Sequence, residues 1–202
     1  MQFRILGPLE VLDGQHLVEL GRPKQRALLA VLLMHANQVV ALDRLIEELW
    51  GEEQPAQASA SLQAYVSHLR RALEPGRPAR TPPRVLVTQP PGYRLVVAPG
   101  DLDAARFVAL AEEGHRLLEG GRPGPAAQVL REALGLWRGP ALADVADEAF
   151  AQAERQRLEE LRLAALEDRL AAELALGRHA GSAAELGSWS AFIRSGSGCT
   201  GC

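Results

Sequence analysis

Residues 54–95 read QPAQASASLQAYVSHLRRALEPGRPARTPPRVLVTQPPGYRL, and the reading of this stretch decides the fold. It holds six arginines, Arg70, Arg71, Arg77, Arg80, Arg84 and Arg94, against one acid, Glu74. That is a local balance of +5 in a chain whose formal net charge is −3. What a polyanion meets is the local field, so an acidic total does not exclude a nucleic-acid partner. The charge also follows a layout. Within residues 59–73, Leu62, Val66, Leu69 and Leu73 recur at i, i+4, i+7 and i+11, one face of a helix. A Pro/Gly/Arg connector follows, and then two short β-type runs, 84–88 and 93–97, joined by Gln89-Pro90-Pro91-Gly92. A helix followed by a basic hairpin is the order of a winged helix-turn-helix. The expected partner is double-stranded DNA.

A reading helix needs one apolar face to seat it and one face of short or hydrogen-bonding groups for the major groove. Ser59, Ala60, Ser61 and Gln63 occupy the N-terminal half, where base edges are met, and Ser67 lies farther along the same side. Glutamine can pair with adenine through two hydrogen bonds, and arginine with guanine in the same way. Arg70 and Arg71 sit at the C-terminal end, where phosphate contacts would set register without reading sequence. Taken alone, an arginine pair on a helix is more often a merely solvated face than a phosphate clamp. In the hairpin, Arg84, Tyr93 and Arg94 are the residues expected at the backbone or minor groove. Tyr93 has the alternative of packing beneath the hairpin.

Outward from this stretch, residues 2–20 read as strands, with Phe3, Ile5, Leu9, Val11, Leu17, Val18 and Leu20 as apolar members and Asp13-Gly14 as a hairpin signal. Pro23 suits the first turn of an apolar helix over 27–35, in which Leu28, Val31, Leu32 and His35 share a face. Asn37 is a stop. Val39-Val40 reads as a short extended link. A second helix over 44–50 carries the stripe Leu42, Leu45, Ile46 and Leu49 and ends at Gly51. Past Ala98-Pro99-Gly100 the chain becomes rich in Ala, Leu, Glu and Arg and loses its strand signal. Helices are expected over 102–119, 125–137 and 148–176, with short connections typical of a helical bundle or helical repeats. The fold class is therefore mainly α: a winged helix-turn-helix with an N-terminal β-sheet and a C-terminal wing hairpin, followed by an all-α domain. The expected division is 1–98, 101–186 and a tail over 187–202.

The sequence offers no catalytic constellation. His16, His35, His68, His115 and His179 are scattered, and Glu119-Gly120-Gly121-Arg122-Pro123-Gly124 lacks the Lys-Ser/Thr that completes a phosphate-binding loop. Asp144 and Asp147 fall where acids cap a helix start. Neither an enzyme, a cofactor nor a metal site is expected. No apolar run reaches the ~18 residues of a membrane span, and the N-terminus lacks the pattern of a signal peptide. The expected address is cytoplasmic and nucleoid-associated, with no membrane partner.

Four motifs in order carry a family resemblance: residues 21–30 (GRPKQRALLA), 43–50 (DRLIEELW), 62–73 (LQAYVSHLRRAL) and 91–95 (PGYRL). In the second half Phe107, residues 134–144 (LGLWRGPALAD) and residues 154–158 (ERQRL) extend it. The chain resembles the Streptomyces antibiotic regulatory protein family, whose members join an OmpR-type winged helix to a bacterial transcriptional activator domain, over roughly residues 2–186. The resemblance implies protomers side by side on direct repeats in a promoter. It further implies a tetratricopeptide-like domain that supports homodimerisation and contacts RNA polymerase, and control of a secondary-metabolite gene cluster. The alternatives are a helical scaffold for a protein partner, or a DNA binder that competes without activating.

The tail breaks the pattern. Residues 187–202 (GSWSAFIRSGSGCTGC) replace a family segment that ends in a His-Pro-Leu-Arg-Glu-Arg-Leu type of sequence. Codons for residues 192–199, read one base out of register, can encode that heptapeptide. The tail is accordingly read as a shifted reading frame beginning near Leu186, without ordered structure, leaving the activator domain incomplete. Codons that cannot yield the heptapeptide would exclude this. The rival is a zinc or redox site at Cys199 and Cys202, but two thiols supply only half a tetrahedral site.

Overall fold

The computed structural model describes residues 1–78 and 80–177. The expectations for the 187–202 tail, with Cys199 and Cys202, lie outside these residues. The chain divides into two compact units, one of residues 1–107 with 136–160, the other of 108–135 with the described residues from 161 onward.

The first unit opens with β1 (Gln2–Arg4), β2 (Glu10–Asp13) and β3 (His16–Leu17), an antiparallel sheet in that order. Asp13 faces His16 across a two-residue turn in which Gly14 takes φ +60°. The turn is therefore Gly14-Gln15, one position beyond the Asp13-Gly14 signal, because the residue that must adopt positive φ leads it. Leu17, an apolar member of the expected strands, is 64% exposed at the short outer strand.

Helix α1 (Pro23–Met34) starts with Pro23 at its first position, and the Gln25 side chain accepts the Arg22 backbone N–H at 2.8 Å. The sequence suggests one apolar face; instead Ala27 through Leu33 are all buried. A helix apolar on every side belongs in the middle of a core. Here α1 is surrounded by α2 (Leu42–Trp50), α3 (Ala58–Leu73), a strand of the second sheet and a 3-10 turn (Ala143–Val145). Gly21 precedes it at φ +84°, and any side chain there would collide with Gln25 Oε1 and His68 Nε2.

Val39-Val40 is more than a link. Val39–Ala41 forms β4, which pairs with β6 (Gly92–Leu95), and β6 pairs with β5 (Leu86–Gln89), giving the order β4-β6-β5. The wing hairpin thus becomes part of a three-stranded sheet with β6 in the centre. Gly92 permits this pairing: a Cβ at that position would lie 1.9 Å from the Val40 carbonyl oxygen. Asn37, at φ +65°, fastens the far end of the sheet. Its Nδ2 donates to the Val97 carbonyl at 3.0 Å, and its Oδ1 accepts the Val97 N–H at 2.9 Å.

Residues 136–160 complete this unit. The backbone N–H groups of Arg138, Leu142 and Ala143 donate to the carbonyls of Leu6, Ile5 and Gly7, and Phe107 meets Trp137 edge-on at 5.3 Å. Arg138 reaches Glu10 at 3.0 Å and the Pro8 carbonyl at 3.0 Å. Asp103, at the start of α4 (Asp103–Glu119), is buried and accepts the Ile5 and Leu6 N–H groups at 2.8 and 3.0 Å. Asp144 does not cap a long helix as expected; it accepts the Leu9 N–H and pairs with Arg26. The aspartates go to these loop amides because residues 5–9 leave the sheet and would otherwise bury unpaired N–H groups.

The second unit is helical, built from α4 beyond Phe107, α5 (Pro123–Leu134) and α6 (Ala149–Ala175) beyond Glu160. Its helices approach closely over small residues. Gly114 packs against Leu130 with no room for a Cβ, and Ala126, Ala127, Ala133, Ala165 and Ala172 are buried. His115 Nδ1 meets Asp168 at 2.9 Å, and this hydrogen bond raises the histidine's pKa above its ordinary value.

Candidate nucleic-acid interface

Helix α3 is seated by Leu62, Val66, Leu69 and Leu73, all buried as the i, i+4, i+7, i+11 pattern anticipated, and by Ala58, which extends the face one turn earlier. The opposite side faces solvent. Ser59, Ala60, Gln63, Ser67 and Arg71 are exposed, and Ser61 is half-buried at the edge. Ala64, not among the expected contact residues, is exposed on the same stripe; its signal is its place one turn on from Ala60. The stripe is a row of short side chains punctuated by one amide and ended by one guanidinium. No acid lies in the first turn and Gln57 provides no side-chain cap; the Ala58 N–H donates to the Pro55 carbonyl, which leaves the Ser59 and Ala60 amides as donors at the helix start. Such a surface can lie close to base edges, offer a bidentate amide at Gln63 and place a cation at Arg71 against a phosphate.

The remaining expected residues separate. Arg70 does not share the solvent stripe with Arg71. Its Nε donates to the Leu86 carbonyl at 2.8 Å, its Nη2 donates to Thr88 Oγ1 at 2.7 Å, and its guanidinium lies 5.7 Å from the centre of the Tyr93 ring. Burial pulls its pKa down from the ordinary arginine value, while the guanidinium stays charged. Of the two alternatives for Tyr93, the structure has it half-buried against Arg70. Arg94 follows Tyr93 in β6, and successive side chains in a strand point to opposite faces. It therefore lies on the other side of the sheet, between its cross-strand partners Val39 and Val87, with Nε buried. Arg84 is exposed at the entry to β5, where its backbone N–H donates to the Glu74 carboxylate at 3.0 and 3.2 Å. Glu74, Thr88 and Asn37 position the wing and were not anticipated. The lone acid in a basic stretch was the one available signal.

Among the described residues, no group of three or more His, Cys, Asp or Glu side chains is placed to hold a metal. No described helix is long and apolar enough to cross a membrane.

Comparison with known proteins places this surface in context. Residues 15–95 match the family described as "Transcriptional regulatory protein, C terminal", and residues 102–192 match "Bacterial transcriptional activator domain". Regulatory protein DnrI of Streptomyces peucetius is 41% identical over 190 residues, an alignment covering 92% of this chain and 70% of that protein. The chain belongs to the Streptomyces antibiotic regulatory protein family. Regulatory protein AfsR of Streptomyces coelicolor, another relative, is 40% identical over 187 residues, covering 92% of this chain but 18% of its own length. Among solved structures, Mycobacterium tuberculosis EmbR in complex with a low-affinity phosphopeptide superposes with a TM-score of 0.88 at 39% identity. That match covers 96% of this chain and 50% of the EmbR chain. The chain thus spans half or less of AfsR and EmbR. Family members are named as regulators, not enzymes, and the winged-helix fold supports DNA as the partner. The family motif at 134–144 has a structural basis here: Arg138, Leu142, Ala143 and Asp144 bind the backbone of residues 5–9.

Proposed function

We propose that this regulator acts on a promoter through α3 and the wing. Residues 1–98 bind the duplex, and residues 101–186 act on the transcription machinery. Ser59, Ala60, Ser61 and Gln63 meet base edges in the major groove, while Ser67 and Arg71 run along a strand. Arg84 and the half-buried Arg94 serve as flanking wing contacts. Protomers occupy direct repeats side by side. The helical part supports that homodimer and contacts RNA polymerase to switch on a secondary-metabolite gene cluster, in the cytoplasm at the nucleoid. The observation that carries this reading is the exposed stripe on α3, seated from behind by five buried apolar residues and ended by Arg71.

The test is the salt dependence of duplex binding. Each phosphate neutralised contributes about −0.9 to the slope of log affinity against log salt. Arg71→Ala is expected to weaken binding to all sequences and to lower the slope by about one. Binding that does not respond to salt, or a wild-type protein that binds no duplex, would favour the helical scaffold instead.

A further inference from the structure

Resting on the DNA-binding reading above, we propose that Arg70 is a positioning residue: with Glu74 it clamps β5 to the last turn of α3, so that helix and wing meet the duplex in one fixed register.

The residue spacing carries the argument. Arg70 lies in the last turn of α3, and Glu74 is the residue that caps the helix, its backbone N–H donating to the Arg70 carbonyl at 3.0 Å. Arg84, Leu86 and Thr88 are two apart along the strand that leads into and forms β5. Glu74 takes the Arg84 N–H at the strand's entry, and Arg70 takes the Leu86 carbonyl and the Thr88 hydroxyl beyond it. Tyr93, paired with Thr88 across the hairpin, closes the cluster from β6. Two donors of the guanidinium are thereby held by the strand, and its central carbon lies 5.7 Å from the centre of the Tyr93 ring. The adjacent Arg71 points about 100° around the helix into solvent and is the one free to meet a phosphate. The two arginines, alike in sequence, divide the work of orientation and anchoring.

A clamp of this kind depends on the planar fork, which a lysine does not reproduce although it keeps the charge. The test is hydrogen exchange of the wing amides, residues 84–96, in the full chain without DNA. It is paired with binding to a fluorescein-labelled random-sequence duplex over a range of salt. Arg70→Ala and Arg70→Lys both remove the two-donor fork and are expected to speed wing exchange by more than about tenfold, the factor that loss of a single charge-assisted hydrogen bond implies, with α1–α3 core amides unaffected. Arg71→Ala should leave wing exchange unchanged. The Arg70 variants should bind the duplex more weakly at an unchanged salt slope, whereas Arg71→Ala lowers that slope. Should Arg70→Ala disturb the core, Thr88→Ala and Glu74→Ala remove one leg each and should give smaller effects in the same direction. Wing exchange that stays at the wild-type rate in these variants overturns the clamp. So does rescue by lysine together with a slope lowered by one in Arg70→Ala, the signature of a phosphate anchor. If the wild type binds no duplex, the DNA-binding reading fails while the exchange measurements still decide whether the clamp exists.

Discussion

Asp103 concentrates several demands in one side chain. Its carboxylate receives two backbone N–H groups from a loop that has left the sheet, with Arg138 3.8 Å away. Burial nonetheless dominates and raises its pKa above the ordinary aspartate value, against the pull of those hydrogen bonds and the arginine. The linkage sign follows. A carboxyl whose pKa is higher folded than unfolded stabilises the fold most below its unfolded pKa, and that contribution is lost as pH rises through the folded pKa. The stability advantage of the wild type over Asp103→Asn should accordingly shrink as pH climbs through and just above the carboxylate range. Chemical denaturation of both proteins across that range measures it, and an advantage that grows with pH would contradict it. At this scale the sequence was a partial guide. It marked Gln63 and Arg71 as exposed helix residues but treated Arg70 as Arg71's equivalent. Neighbours in sequence lie about 100° apart on a helix, and only the folded wing decides which of them it engages.

The elements themselves were legible where periodicity is strong. In α3 the apolar positions fall on one face, and that face is the buried one. Leu69→Ala is expected to cost about 2–5 kcal/mol of stability, since it empties a fully buried site in the core. Equilibrium urea unfolding checks this, and a loss below 1 kcal/mol would mean the site collapses around the gap. Where periodicity is ambiguous, the sequence misled in an orderly way. Residues 27–33 are apolar without interruption, so the face drawn through Leu28, Val31, Leu32 and His35 was one choice among several, and burial on every side emerges only from the packing of its neighbours. Val39-Val40 is too short to announce a strand; its pairing with β6 depends on a glycine more than 50 residues later, at Gly92. Long-range pairings of this kind leave no local pattern to read.

The whole chain combines a winged-helix unit, with residues 136–160 folded into it, and a helical unit of tightly packed small residues. That division could not be drawn from composition. The shift near Ala98-Pro99-Gly100 marks where strands end, but the bonds from Arg138, Leu142 and Ala143 to residues 5–7 are backbone hydrogen bonds that any sequence could make. Family motifs at 134–144 signalled that something was held there without saying what. The central claim, sequence-specific recognition by the exposed face of α3, is tested most directly by selecting binding sites from a random duplex pool with the wild type and with Gln63→Ala. The wild type should enrich a directly repeated motif. Gln63→Ala should relax preference at one position in each repeat, at a cost of about 1–3 kcal/mol per lost base contact, and leave the others intact. Enrichment of no sequence by the wild type, or the same motif with the same preference from both proteins, would contradict it.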